Sequence, residues 1–488
     1  MRPSRGIFIA IVIFIVLIVQ HISCAQALPD KKNADLPKEE KTNVIIFWVD
    51  TLRNDHLGCY GYHRNTSPFI DKIAKEGVLF EQCITDASWT KSSGVSLFSG
   101  QRVATHGVKD VSIKASPELI MLPEVLKDNG YKTAGFAQSP LYDYASGMNQ
   151  GFDRYHYSLD EFKMINHINP IYDPDPADKV LAWIRKNKEK KFFIWSHLFY
   201  PHGIYAPPKP FDEAFVNDKY VKGDKHVPIS DDLIYAYKVI PGYQNLGDRT
   251  DIDYYISQYD SEILYLNSAV QKVVNELKRL DIYDNTIIVL SADHAETTGE
   301  NDFYFVHTLL YDPVIRVPLI IRFPSVIPKN LRLKYQVSTI DIYPTILDIL
   351  GIPINHQIDG RSLIPMIMKK EKKDRPVVSQ AHNKKGGFIF SDAVEGTNTF
   401  SLRDRVGRDM WKLIYSTKPE TQPVHELYNI SKDPGESNNL IDKEKKVYKI
   451  LRKRLLPLLK LNEEDEDQVE RIDIDEETKE QLKSLGYM

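Results

Sequence analysis

Four short stretches hold residues able to do metal-assisted ester chemistry. Asp50 directly follows the apolar run NVIIFWV, residues 43–49. Asp293-His294 directly follows a second apolar run, TIIVLSA, 286–292. His197 and His202 flank the end of KFFIWSHL, 191–198. Thr90 stands in ASWTKSSGVSLFSG, 87–100, at the head of a Ser- and Gly-rich stretch. Two aspartates and a histidine offer the oxygen and nitrogen donors that divalent cations take. A hydroxyl bound to such a cation loses its proton more readily and becomes a competent nucleophile. At a helix N-terminus, free N–H groups and the helix dipole also favour an attacked anionic ester. Each residue has an ordinary structural reading too. An Asp after a strand caps the next helix, a lone His is often structural, and Thr90 could cap the short helix expected near 90–98.

The elements that must position these residues follow from the apolar pattern. A continuous apolar run such as 43–49 is what a strand buried on both faces of a parallel sheet requires. Ser67-Pro68 is expected to open a helix that ends before Gly77. LPEVLKDNG (122–130) predicts a helix followed by the strand KTAGFA. A helix near 176–188 leads into 191–198, and a long one near 252–280 leads into 286–292. VPLIIRF (317–323) is a further strand, with a helix near 339–350. Strands alternating with helices predict an α/β sandwich with a mainly parallel sheet. In such sheets ligands bind beyond the carboxyl ends of the strands, where Asp50, Asp293 and His294 lie. After about residue 375 the runs PVVSQA, GFIFSDA, TFSLRD, WKLIYST and HELYNI predict a small antiparallel sheet, then a helix near 443–460.

Composition sets the outer bounds. The chain has 488 residues, 42% of them hydrophobic, and a net charge of −4. That suffices for a large core and gives no global signal for nucleic acid. Three cysteines are too few for a disulfide framework. Arg2 and Arg5 precede an apolar stretch from Ile7 to Val19, followed by Ala25-Gln26-Ala27. This reads as a secretory signal over 1–27, too short for an ordinary spanning helix. An uncleaved N-terminal anchor and a lipidated Cys24 are the alternatives, and His21 fits a lipoprotein signal poorly. All three place the bulk of the chain outside the cytoplasm, periplasmic or extracellular, with membrane attachment through the N-terminus or Cys24 open. Residues 28–42 read as a polar linker. The main domain is expected over 43–370, a C-terminal subdomain over 371–462, and an acidic tail over 463–488.

Several motifs resemble one known family. NVIIFWVDTLRNDHLGCYGYHRNTSPFIDKIAKEGVLF (43–80) is similar to the first strand and helix of the sulfatases of the alkaline phosphatase superfamily. SADHAETTGE (291–300) resembles their metal-binding segment, and HTLLYDPVIRVPLIIRFPS (307–325) the stretch after it. STIDIYPTILDILGIPINHQIDGRSLIP (338–365) resembles the end of their main domain. HELYNISKDPGESNNL (425–440) and the terminal LKSLGYM resemble their C-terminal subdomain. The resemblance implies an alkaline-phosphatase/sulfatase-like sandwich. It makes Asp50, Asp293 and His294 metal ligands, and Thr90 both nucleophile and ligand. His202 matches a residue at the substrate or leaving group, and His307 a basic position near the transferred group. Lys91 and His197 are candidate substrate contacts, Lys91 being equally readable as an exposed lysine.

Three departures from that family matter. Its C/S-x-P-x-R motif, whose Cys or Ser becomes formylglycine, reads Thr90-Lys91-Ser92-Ser93-Gly94 here, so no formylglycine is expected. The paired Asp after the first strand is Asp50-Thr51, and Ala295 replaces a Gly. His294 suits Zn or Mn better than Ca or Mg. Tyr200 stands where a second metal would want an Asp, so one metal is expected. A Thr nucleophile resembles the phosphodiesterases and phosphoalkyl transferases of the superfamily. A formylglycine hydrate releases sulfate by collapsing to the aldehyde, whereas a threonyl sulfate has no such exit. The expectation is therefore a hydrolase or transferase of anionic esters, with phosphodiester-type chemistry favoured over sulfate ester hydrolysis. The substrate could be a glycan, a lipid head group or a small ester. An inactive envelope-located relative that binds an anionic ligand is the rival reading.

Overall fold

The computed structural model describes residues 41–157, 176–220, 225–230, 237–381, 398–417, 425–459, 470–472, 474 and 476–484. Thr42–Met488 forms one unit. The expected signal, its Cys24 and the run GFIFSDA (387–393) lie outside the described residues.

β1 (Asn43–Val49) is buried along its whole length, as its unbroken apolar sequence demands. The chain continues through β2 (Val78–Ile84), β3 (Lys132–Ala137), β4 (Arg154–Tyr157), β5 (Phe192–Leu198), a minor pair β6 (Ile229–Ser230) and β7 (Ile240–Pro241), then β8 (Thr286–Ala292), β9 (Arg316–Arg322) and β10 (Leu331–Ser338). Eight of these strands form the main sheet in the order β10-β2-β9-β8-β1-β5-β3-β4. Pairing is parallel except at β9, which runs antiparallel to both β2 and β8. The segment between β8 and β9 contains no helix longer than the one-turn Asp312–Ile315, and lacks the long helix of a parallel crossover.

β1 lies at the centre, and its register sets the height of everything beyond it. Val49 pairs with Leu198 of β5 and with Ala292 of β8. The ladder runs one step further on each side, Asp50 N–H donating to Leu198 O and Asp293 N–H to Val49 O. Asp50, Asp293 and the chain leaving β5 thus emerge at one level of one sheet edge. Helix Ile252–Arg279 starts at Asp251, whose carboxylate accepts the Asp253 N–H as an N-cap. The expected Ser67 cap is not formed. The helix there is Ile70–Lys75, after Phe69, because the Ser67 hydroxyl is taken up by Gly58 N–H and the Asp71 carboxylate.

The C-terminal region forms a second, four-stranded antiparallel sheet from β11 (Val377–Ala381), β12 (Thr399–Val406), β13 (Asp409–Ser416) and β14 (His425–Asn429). Gly407, with φ 67°, opens the two-residue β12–β13 turn, where a left-handed residue suits the strand twist. Helix Lys445–Leu455 covers this sheet, Leu451 and Leu455 packing with Leu402, Leu413 and Leu427. Among the described residues, no helix is long and apolar enough to cross a membrane.

Candidate active site

Asp50, Asp293 and His294 are completely buried and bring one donor atom each within 4.8 Å of one another. The His294 Nε2 atom is the hub. It lies 3.1 Å from Thr90 Oγ1, 3.6 Å from Asp293 Oδ2 and 3.7 Å from Asp50 Oδ1. His294 Nδ1 sits 3.2 Å from Ala295 O. A carbonyl can only accept, so Nδ1 carries the proton and Nε2 presents its lone pair to the cluster.

Thr90 reaches this point as the first residue of helix Thr90–Ser99, the N-cap being Trp89 with no side-chain cap bond. The expectation that Thr90 itself caps the helix is therefore corrected. A first-turn residue points its hydroxyl outward from the helix end, here to His294 and Asp293. Two contacts pin the helix there. Tyr142 OH donates to Thr90 O at 2.6 Å and Ser93 Oγ to Asp293 O at 2.8 Å, while Thr85 Oγ1, ahead of the helix, donates to the same carbonyl. Gly94 lets Tyr142 come close, since a Cβ there would lie 2.6 Å from its hydroxyl oxygen. Thr51 takes a left-handed φ of 50°, rare for a β-branched residue, with its N–H 3.3 Å from Asp293 Oδ1.

The electrostatics are those of a site built for a cation. Burial raises the pKa of Asp50 well above the carboxylate range, with Glu296 adding to it. Burial and the Asp50 charge do the same to Asp293. Burial and His307 push His294 well down, keeping it neutral. Both Asp50 oxygens and Asp293 Oδ2 are buried without a hydrogen-bond partner, a costly state for carboxylates. A divalent cation fits this donor set. The separations of His294 Nε2 from its three neighbours, 3.1–3.7 Å, bracket the edge of a tetrahedron with metal–ligand bonds of ~2.1 Å, about 3.4 Å.

The other sequence candidates divide. His202 and His307 join the cluster, their rings 5.1 Å apart, and His307 stacks on His294 at 4.9 Å. Burial lowers both to about 3, with His307 adding to the effect on His202. His202 Nδ1 lies 2.8 Å from Gly203 O, so it donates there and Nε2 carries the lone pair. His197 sits beside Asp50, its Nε2 3.5 Å from Oδ2. Lys91 does not join. It is neither exposed nor directed at the donor cluster. Its buried ammonium donates to Val111 O and lines a separate cavity of about 100 Å³ with Leu141, Asp143 and Leu482. One residue step along a helix turns the side chain by about 100°, which parts Lys91 from Thr90. Sequence reasoning missed Glu296 and Tyr205. Tyr205 OH donates to Glu296 Oε2, while Oε1 lies 3.6 Å from His307 Nδ1. Nothing in their spacing announces that contact across 91 residues.

Comparison with known proteins agrees with this architecture. The sequence pattern of the Sulfatase family matches residues 42–352, and that of the N-sulphoglucosamine sulphohydrolase C-terminal region matches 299–463. An N-acetylglucosamine-6-O-sulfatase of Bacteroides thetaiotaomicron is 23% identical, over 90% of this chain and 89% of its own. Arylsulfatase K of Homo sapiens is 25% identical, over 76% and 74%. A solved structure in complex with its substrate D-glucosamine-2-N,6-O-disulfate superposes with a TM-score of 0.70 at 20% identity, over 87% of this chain and 99% of that one. The phosphonate monoester hydrolase of Agrobacterium radiobacter gives 0.68 at 18% identity, over 86% and 95%. With the family pattern covering most of the chain, and the fold and buried donor cluster in agreement, this protein belongs to the sulfatase family and is a hydrolase of sulfate or phosphate esters.

Proposed function

We propose that the chain is a one-metal ester hydrolase whose nucleophile is the Thr90 hydroxyl, acting on phosphate- or phosphonate-type esters in preference to sulfate esters. The observation that carries this reading is the 3.1 Å approach of Thr90 Oγ1 to His294 Nε2 inside a fully buried Asp-Asp-His cluster. Asp50, Asp293 and His294 would hold the divalent cation, Zn or Mn by their nitrogen-containing donor set. When bound, it supplies Lewis acidity that lowers the pKa of the Thr90 hydroxyl and stabilises charge on the non-bridging ester oxygens.

The chain's own groups do the rest. With His294 Nε2 engaged by the cation, Asp293 would be the acceptor of the Thr90 hydroxyl proton, orienting the oxygen and taking the proton on attack. Thr90 attacks the phosphorus in line, and the head of helix Thr90–Ser99 favours the anionic group. His307 and His202 line the neighbouring side. For His202 to protonate the leaving oxygen it must gain a proton on Nε2, since Nδ1–H is held by Gly203 O. Burial opposes that proton in the free protein, whereas a bound ester anion favours it. Water then cleaves the threonyl ester. A threonyl phosphate is released by such attack, whereas a threonyl sulfate lacks the aldehyde-forming exit of formylglycine. The phosphonate monoester hydrolase neighbour supports the phosphate side. The sulfatase relatives and the disulfated-glucosamine complex support the second reading, sulfate ester hydrolysis on a glycan.

The test is a comparison of kcat/KM for an aryl phosphodiester, an aryl phosphonate and an aryl sulfate, with Thr90→Ala beside the parent. Preference for the phosphorus esters, lost in Thr90→Ala by about four orders of magnitude, is the expected result. Unaltered turnover in Thr90→Ala sinks the nucleophile assignment, and preference for the sulfate reverses the ester assignment. The signal-like N-terminus supports export of the protein, which fractionation of cells would check.

A further inference from the structure

We propose that His197 is neither a substrate contact nor a ligand of a second metal, but the positioning residue that fixes Asp50 by donating its Nε2–H to Oδ2. The inference rests on the metal-site reading above and adds an assignment to it. It follows from which nitrogen carries the proton. Gln138 N–H donates to His197 Nδ1 at 3.3 Å. A backbone N–H can only donate, so Nδ1 presents its lone pair and the ring proton sits on Nε2. Nε2 is buried, has no hydrogen-bond partner, and faces Asp50 Oδ2 at 3.5 Å, itself buried and unpartnered. A nitrogen bearing a proton cannot coordinate a cation, which removes His197 from any second metal site. The same proton commits Nε2 to Asp50 rather than to a substrate, and the ring is walled by Tyr142 at 4.8 Å and Trp195 at 5.7 Å.

The consequence is a division of labour within one carboxylate. Oδ2 turns toward His197 on β5, and Oδ1 is left for the cluster at His294. This matters more here than in a site with two adjacent carboxylates, because the next residue is Thr51. One carboxylate must then stand at a single angle, and partners behind a ligand set such angles. β1 and β5 are paired in register, Trp48 opposite His197, so the donor sits on a strand that cannot drift from Asp50.

Three measurements on the full chain test this, and the first two need no substrate. In metal-free, 15N-histidine-labelled protein, the His197 signal, assigned by its loss in His197→Gln, is expected to show the proton on Nε2. Calorimetric titration with Mn or Zn is expected to show about 10–100-fold weaker binding in His197→Phe. His197→Gln, whose amide nitrogen can occupy the Nε2 position, should recover most of it. KM for the ester at saturating metal should stay near the parent value in both variants. A proton on Nδ1, parent-like metal affinity in a folded His197→Phe, or a raised KM with unchanged metal affinity each overturns the proposal. If the parent binds no metal, the site reading falls, while the labelled spectrum still decides the Asp50 contact.

Discussion

At the scale of single residues, the site is a set of groups each made unstable by the same burial that makes them useful. Asp50 and Asp293 have pKa values raised above 3.8, first by burial and then by Glu296 for Asp50 and by Asp50 for Asp293. The sign follows directly. Without metal, the native state holds protons that the unfolded chain has lost once the pH exceeds the ordinary carboxylate value. Stability contributed by these two acids therefore declines as pH rises. A cation needs them deprotonated, so its binding strengthens in the same direction. The difference in Tm between metal-loaded and chelator-treated protein should widen steadily between about pH 5 and about pH 8. A constant or narrowing gap would show that the cation does not bind this pair. Asp50, Asp293 and His294 were legible because ligand-type residues directly follow unbroken apolar runs, and a buried strand must release its chain at the sheet edge. Thr90 was legible as a hydroxyl at a helix start, though not as the first helical residue after a Trp89 cap. The direction of Lys91 was not legible, because helix phase relative to the cluster is set by tertiary contacts such as Tyr142 to Thr90.

At the scale of elements, most strands were predictable, including the mixed runs TFSLRD, WKLIYST and HELYNI of the small sheet, while three mixed strands of the main sheet were not. β1, β5 and β8 read plainly, whereas β2 carries Glu81 and Gln82, and the sheet-edge strands β4 and β10 alternate polar and apolar residues. The antiparallel run of β9 was equally hidden, since apolar content is the same in either direction. Two contacts between elements invite mutation. Gly94→Ala places a methyl group against the Tyr142 ring, at 2.6–2.9 Å from its atoms. Overpacking of that kind costs about 1–3 kcal/mol, and because Tyr142 OH holds Thr90 O, kcat should fall with little change in KM. Parent-like kcat would mean that Tyr142 does not hold the nucleophile. Elsewhere, Lys412 on β13 is completely buried between Asp312 at 3.0 Å and Glu436 at 2.6 Å, joining the small sheet to the one-turn helix before β9. Lys412→Met leaves Glu436 uncompensated and Asp312 with Arg403 alone, and denaturant unfolding should show a loss of about 3–5 kcal/mol. A loss within experimental error would mean the carboxylates take up protons at no cost.

At the scale of the whole molecule, the C-terminal part of the chain closes around the segment that presents Thr90. β11 of the small sheet reaches the residues leading into the nucleophile helix: Gln380 N–H donates to Asp86 O, Ser88 N–H to Gln380 O, and Ser379 Oγ to Thr85 O. Further along, Ile472 N–H donates to Ser112 O, and Lys114 N–H to Glu470 O. Leu482, in helix Glu476–Ser484, is 2% exposed and packs with Trp89, Val111, Leu141 and Phe199. Trp89 caps the Thr90 helix, and Phe199 stacks on His202 at 4.7 Å. The acidic run at 463–467 suggested a solvated tail, and charge patterning gave no reason to expect an apolar clamp beyond it. The packing argues that this clamp holds two residues of the site in place from behind. Leu482→Ala removes the side chain that fills the cluster, a change that costs about 2–5 kcal/mol where the surroundings do not collapse. It should lower Tm and, below the new transition, lower kcat, because Trp89 and Phe199 both gain freedom. Metal affinity should be kept, since Asp50, Asp293 and His294 rest on β1 and β8 rather than on the clamp. A variant with lower Tm but parent-like kcat would confine Leu482 to stability, and one that loses metal would place the clamp's influence on the donor cluster itself.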